Sequence, residues 1–169
     1  MKIFGAVLII LGSSSLGFLK ARQISLRSKQ LQELKTALEM LKTEIDYGVT
    51  PLPVAFTKLA NNLNSPLGDL FSTAKKNLAA GLVAQRSWQE AVSEVMPRTA
   101  LLAEDKELLL EIGYNLGNSN SADQIRHLDL AQEKISHLHQ IAAAEKEAKV
   151  KLWRYLGVLT GLLVVIIIV

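Results

Sequence analysis

Residues 156–169 read LGVLTGLLVVIIIV, an uncharged run in which eleven of fourteen residues are Leu, Ile or Val. A second uncharged run, IFGAVLIILGSSSLGFL, occupies residues 3–19. At about −0.5 kcal/mol for each Leu, Ile or Val, residues 156–169 favour bilayer insertion by about 5 kcal/mol before end effects. A helix over residues 156–169 reaches only ~21 Å of a ~30 Å hydrocarbon core, so Trp153, Tyr155 and the preceding turn must complete the span. We therefore predict transmembrane helices over residues 1–20 and 152–169, with a separate domain over residues 21–151.

The charges around residues 3–19 distinguish an uncleaved anchor from a signal peptide. A signal peptide concentrates positive charge before its apolar run and ends in small residues at the cleavage site. Here a single Lys precedes the run, and four cations follow it: Lys20, Arg22, Arg27 and Lys29. This arrangement favours an uncleaved anchor. For residues 156–169 the alternative is a buried core helix, which is disfavoured because the rest of the chain is not apolar enough to surround one.

The composition indicates an all-α protein. The 169 residues are 49% apolar and only 5% aromatic, with four Pro and no Cys. Leu, Ala, Glu, Lys and Gln abound, and these residues favour long helices over sheets. Without Cys the chain has no disulfide, no thiolate metal site and no cysteine nucleophile.

The charge distribution predicts which side of the membrane the central domain occupies. Residues 20–29 carry a charge of +4 and residues 146–154 carry +3, whereas residues 30–145 carry −5. The positive-inside rule therefore places residues 20–154 in the cytoplasm and both short termini outside. The isoelectric point near 9.2 reflects two basic collars beside the membrane. Such collars attract anionic lipid and do not indicate nucleic-acid binding.

Apolar residues in the central domain recur at helical spacing. Leu31, Leu34, Leu38, Leu41 and Ile45 step by three and four residues, with charged residues on the other faces. The same spacing recurs after each turn, which predicts a six-helix bundle of antiparallel helices between the two transmembrane helices. No strand signal competes. The first span continues into the helix around Leu31 in this interpretation, and the last helix, about 45 residues from Ala122, forms the spine of the domain.

Caps and breakers predict the helix boundaries. Ser, Thr and Pro are typical of helix starts, and Gly is typical of helix ends. The predicted signals are Gly48, Thr50 with Pro51, Ser65 with Pro66, Gly81, a capping box of Ser87 and Glu90, Pro97, a helix from Ala100 to Leu116 that ends at Gly117, and Ser121 with Gln124.

The search for a catalytic, cofactor or metal site finds none. His127, His137 and His139 all lie on the last predicted helix, at spacings that form no ligand pair. No nucleotide-binding glycine motif is present, and no strand or nucleophile elbow positions a triad. We therefore predict a protein that is not an enzyme and holds no cofactor.

An acidic run opens the fifth predicted helix, where the helix dipole favours anions. It comprises Glu104, Asp105, Glu107 and Glu111. A solvated helix face explains these residues, and a docking surface for a basic partner is the more specific alternative. The candidate partner-docking residues are Glu104, Glu107, Glu111, Gly113 and Gly117, with the surrounding stretch up to Gln124.

Small residues occur at close-packing spacing in both spans. Gly157 and Gly161 form a G-x-x-x-G pair, and Ser13 with Gly17 forms the corresponding pair in the first span. These spacings let helix backbones approach closely, although short apolar helices often contain them by chance. The four residues are the candidate helix-packing positions, either within the chain or with a partner.

Several stretches carry a family resemblance. The stretch over residues 41–91, with the segments YGVTPLPVAFTKLA and LFSTAKKNLAAG and with SWQEAV at its end, resembles the cytoplasmic F-type domain of type II secretion and type IV pilus platform proteins. Over nearly its full length, the chain resembles the stage III sporulation protein AB family. The elements that carry this likeness are GAVLIILGSSSLGFL, EIDYGVTPLP, IGYNLGNSNSADQ and KLWRYLGVLTGLLVVIIIV.

The resemblance implies a platform in the mother-cell membrane that engulfs the forespore. It implies membership of the channel complex between the two cells, with other stage III sporulation membrane proteins and a cytosolic secretion-type ATPase as partners. F-type platform proteins usually hold two copies of the helical domain, and this chain has one. Self-association or another subunit would have to supply a second copy.

Two other functions remain as alternatives. A membrane-anchored helical sensor would relay an outside signal through the last helix, but the predicted outer segments leave no room for a sensory domain. An integral-membrane enzyme would require an ionisable residue within the uncharged runs of residues 3–19 and 156–169, and both lack one.

Overall fold

The structure, a computed structural model, describes residues 2–46, 50–116 and 121–168. Among these residues there are six α-helices, one short 3-10 turn and no strand, so the all-α prediction is confirmed. The helices are α1 (Lys2–Asp46), α2 (Leu52–Asn62), α3 (Leu67–Ala79), α4 (Ala84–Val95), α5 (Ala103–Asn115) and α6 (Ser121–Ile168), with the 3-10 turn at Met96–Arg98 between α4 and α5.

The first and last helices are long and unbroken. α1 contains 45 residues and α6 contains 48, so each predicted span and the helix beside it in the central domain form one continuous helix. The described chain divides into two compact units. We call residues 2–28 and 140–168 the helix pair, and residues 29–139 the bundle.

The core of the bundle follows the predicted apolar stripes. Leu31, Leu34, Leu38 and Leu41 of α1 are all buried, which confirms that stripe. Helices α2 to α5 pack on one another in chain order. On α6, the buried face is formed by Leu128, Ala131 and Ile135.

Three aromatic rings form the centre of this core. The ring centroids of Phe56, Phe71 and Trp88 lie 5.4 to 5.8 Å apart. The indole Nε1 of Trp88 donates a 2.6 Å hydrogen bond to the Leu109 carbonyl oxygen. Trp88 of α4 is fully buried and thus joins α4 to α2, α3 and α5. Its ring is packed against other side chains, and its indole N–H is hydrogen-bonded.

The predicted caps of α2 and α3 are wrong by one residue. Each helix begins after its Pro, and neither Pro51 nor Pro66 provides a side-chain cap. Instead of capping α2, Thr50 hydrogen-bonds Glu44, an interaction that helps Lys58 to lower the pKa of that carboxyl. The Ser65 hydroxyl lies 2.9 Å from Asp69 Oδ2. Both hydroxyls therefore bond to carboxylate side chains and do not cap the backbone of the helices.

The predicted start of α4 is also wrong. Ser87 and Glu90 do not form a capping box, because the Ser87 amide donates to the Val83 carbonyl at 2.9 Å and Ser87 lies inside the helix. Starting at Ala84 extends the buried face before Trp88, and Ser87 itself is buried. Its hydroxyl donates to the Leu82 carbonyl at 3.3 Å. Packing thus overrides the local capping signal.

The remaining boundaries agree in part. Gly81 adopts a φ of 92° after α3, which confirms it as the helix stop. Pro97 lies in the 3-10 turn that follows α4. α5 begins at Ala103, later than the predicted Ala100, because residues 99 and 102 adopt extended backbone. The predicted stops at Gly48 and Gly117 lie outside the described residues, as does the side chain of Ser121.

Candidate helix-packing and docking surfaces

Small residues bring the backbones of α1 and α6 into contact within the helix pair. A Cβ atom added at Gly17 would lie 2.5 Å from the Trp153 carbonyl oxygen and 3.0 Å from the Gly157 Cα. One added at Gly157 would lie 3.0 Å from the Ser13 carbonyl oxygen, and one at Gly161 would overlap the Ser13 hydroxyl. The four candidate packing residues therefore meet one another inside a single chain.

Further contacts show that the helix pair keeps one antiparallel register. The guanidinium carbon of Arg154 lies 5.8 Å from the centroid of the Phe18 ring. Nη1 of Arg27 lies 3.7 Å from Oε2 of Glu145. Phe18 to Arg27 is nine residues forward on α1, and Arg154 to Glu145 is nine residues back on α6. The two helices therefore keep the same register between these contacts.

The polar end of the helix pair contains an ion pair, buried only at Arg27, that the sequence pattern did not indicate. The Arg27 side chain is only 6% exposed, and Glu145 is 36% exposed. Lys149 Nζ also donates to Glu145 Oε1, at 2.5 Å. The hydrogen bond from Lys149 and the charge of Arg27 together hold the pKa of Glu145 below its usual 4.5.

The predicted acidic residues on α5 differ in their surroundings. Glu104 and Glu107 are exposed. Glu111 accepts hydrogen bonds of 2.8 and 2.7 Å from Lys134 of α6. Asp105 is buried, and its carboxylate accepts a 2.7 Å hydrogen bond from the Leu102 amide at the start of α5. The exposed acidic face of α5 is therefore centred on Glu104 and Glu107.

The two glycines of the predicted docking surface do not extend that face. Gly113 is buried, and a Cβ atom there would overlap Cδ1 of Trp88. Its role in the structure is to admit the Trp88 ring against α5. Gly117 lies outside the described residues.

No group of three or more His, Asp or Glu side chains converges on a possible metal position within residues 2–46, 50–116 and 121–168. His127 and His137 are exposed, and His139 is half-buried, all on α6.

Comparisons with known proteins point to one family. The chain matches the family model described as Stage III sporulation protein AB (spore_III_AB) over residues 2–169. It is 31% identical over 172 residues to the Stage III sporulation protein AB of Bacillus subtilis (strain 168), with 99% of each chain covered. A solved structure of Stage III sporulation protein AB (SpoIIIAB) is similar with a TM-score of 0.70 and 29% identity. That match covers 73% of this chain and 98% of the solved one.

Proposed function

Because the chain belongs to the stage III sporulation protein AB family, and so has a role in sporulation, we propose that it is a membrane scaffold without enzymatic activity. In this proposal it forms the platform of a secretion-like channel between mother cell and forespore. The bundle docks a cytosolic secretion-type ATPase and passes its position or motion to the membrane part of the channel. Other stage III sporulation membrane proteins are its partners there.

The observation that carries this proposal is the contrast between the two units. α1 and α6 each contain a window apolar enough to cross a membrane, with mean hydropathies of 1.7 and 1.8. Only 11% and 6% of these windows are buried within the protein, whereas the core helix of a soluble protein is mostly buried. The helix pair therefore needs lipid to cover its apolar surface, and the bundle has a core of its own.

The membrane and the orientation are also part of the proposal. The basic collars of residues 20–29 and 146–154 favour a cytoplasmic bundle through the positive-inside rule. We place the protein in the mother-cell membrane that engulfs the forespore, with the bundle in the mother-cell cytosol. An ATPase in that compartment then has direct access to α5.

The proposed docking surface is the exposed acidic face of α5. Glu104 and Glu107 lie in its first turns with exposed side chains, whereas Glu111 is engaged by Lys134. Exposed charges of one sign steer a partner of the opposite sign and set the specificity of the encounter. A basic surface on the ATPase would therefore recognise this face.

Charge reversal tests the docking proposal. We expect Glu104→Lys with Glu107→Lys to abolish recovery of the ATPase when the full-length protein is purified from sporulating cells. Glu39→Lys with Glu133→Lys is the matched control, because both are exposed carboxylates on other helices. Glu111 is left intact so that its contact with Lys134 is preserved. Equal ATPase recovery from the two double variants would contradict the proposed surface.

Self-association is a separate part of the proposal. It is motivated by the single copy of the helical domain, where the resembling platform proteins usually hold two. We expect the full-length protein in native-like lipid to form oligomers that grow with concentration. A monomer at every concentration tested would contradict self-association.

A further inference from the structure

The register of the helix pair places the two basic collars at the same height. Gly17 meets Gly157, and Arg27 meets Glu145, so the part of α1 between them faces the part of α6 between residues 145 and 157. Lys20 and Arg22 therefore lie opposite the stretch that contains Lys149, Lys151 and Arg154. Charges from both ends of the sequence converge at one level.

We call these five residues the basic band: Lys20, Arg22, Lys149, Lys151 and Arg154. All five are exposed. At a rise of ~1.5 Å per residue, residues 149–154 span only about 8 Å along the helix axis. No Asp or Glu occurs in residues 1–32 or 148–169, so the band and the spans beyond it contain no carboxylate.

The internal contacts leave most of the basic band unneutralised. Lys149 binds Glu145, and Arg154 lies over the Phe18 ring. Lys20, Arg22 and Lys151 form no ion pair with the described residues. Concentrated cations without counter-charge repel one another, and an external anion would relieve that repulsion.

Aromatic residues lie at the same level as the basic band. Trp153 is 37% exposed and Tyr155 is 66% exposed, both on α6 beside Arg154. Trp and Tyr concentrate where the hydrocarbon core of a membrane meets the headgroups. The band therefore lies at the height of the lipid phosphates.

We propose that the basic band is a binding site for anionic phospholipid headgroups, formed jointly by α1 and α6. Lys20 and Arg22 flank the fully buried Ala21 and so lie on opposite sides of the pair. Lipid phosphates therefore occupy this level on both sides, and their acyl chains lie along the exposed apolar faces of the two spans. The proposal rests on the membrane insertion that is part of the proposed function, and it is independent of ATPase docking. Its partner is a lipid in the membrane, since the band adjoins the apolar spans.

Fluorescence quenching by brominated lipid tests this site. The chain has two Trp residues, and Trp88 is fully buried in the core of the bundle, so Trp153 reports contact with lipid. The full-length protein is reconstituted in vesicles of phosphatidylcholine and phosphatidylglycerol, with bromine near the headgroup of one lipid or the other. We expect stronger quenching by brominated phosphatidylglycerol than by brominated phosphatidylcholine at equal mole fraction. Trp153→Phe should remove this quenching.

Two double variants distinguish the effect of the basic band on lipid preference from an effect of total charge. One cation near an anionic surface typically changes binding about five-fold, so Lys20→Gln with Lys151→Gln should lower the preference for phosphatidylglycerol by about five-fold or more. Lys75→Gln with Lys76→Gln removes two exposed cations from α3 and should leave the preference unchanged. High salt should also lower the preference for phosphatidylglycerol, whereas soluble glycerol phosphate should not compete with the lipid for the basic band.

Each contrary outcome has a distinct meaning. Equal quenching by both brominated lipids in the unaltered protein would overturn the lipid site while leaving membrane insertion intact. An equal loss in the two double variants would show a general charge effect and would also overturn the site. If neither lipid quenched Trp153, both the site and the insertion that it rests on would be wrong.

Discussion

Gly17 sets how closely the two helices of the pair approach. A side chain at this position would meet the Trp153 carbonyl oxygen at 2.5 Å, and backbone cannot move aside as a flexible side chain can. We expect Gly17→Val to destabilise the protein in detergent by about 1 to 3 kcal/mol, the usual cost of overpacking. Thermal unfolding would measure this. Gly12→Val is the matched control, because nothing lies within 4 Å of a Cβ at Gly12. Equal melting temperatures for the two variants would contradict the close approach.

The sequence alone indicates some of the residues that pack in the helix pair and in the core of the bundle, but not others. The four-residue spacing of Ser13 and Gly17 predicts a close-packing position, and it continues to Ala21, which is fully buried. The sequence does not show which helix fills that position, because spacing within one helix holds no information about its partner. Trp88 was missed as the centre of the core for a related reason. Its buried environment is supplied by Phe56 and Phe71, which come from other helices.

At the scale of the helices, α1 and α6 are joined by a titratable contact. Lys149 and Arg27 hold the pKa of Glu145 below the ordinary value of 4.5 that applies to the unfolded chain. The ionised carboxylate therefore stabilises the folded helix pair above that value, and this contribution is lost as the pH falls through the lowered pKa. We expect Glu145→Gln to lower the melting temperature at neutral pH and to leave it unchanged well below pH 4.5.

Glu147→Gln is the control for this titration, because Glu147 is an exposed carboxylate two residues away. Its melting temperature should follow that of the unaltered protein at every pH. The measurement is the difference in melting temperature between each variant and the unaltered protein, in detergent, over the acidic range. A Glu145→Gln difference that stayed constant with pH would show a packing effect instead of a lost charge.

The helices themselves differ in how well their limits could be predicted. The unbroken course of α6 follows from the absence of any Gly or Pro between Ser121 and Tyr155, together with a continuous apolar stripe. The starts of α2 and α3 were misplaced by one residue and that of α4 by four. Local cap motifs are worth ~1 kcal/mol, and the burial of a single large side chain is worth more. Tertiary packing therefore decided where α4 begins.

At the scale of the whole molecule, the proposed orientation predicts which residues are reached from each side of the membrane. The chain contains no Cys, so a single introduced Cys reports its own position. We expect Ser93→Cys, on the exposed face of α4, to react with a membrane-impermeant maleimide only after cells are lysed. Lys2→Cys, before the first apolar run, should react in intact cells that do not sporulate and carry the protein in their plasma membrane. The positive-inside rule is the physical reason, because both basic collars adjoin the bundle and resist translocation. Labelling of Ser93→Cys in intact cells would reverse the orientation and leave a cytosolic ATPase without access to Glu104 and Glu107.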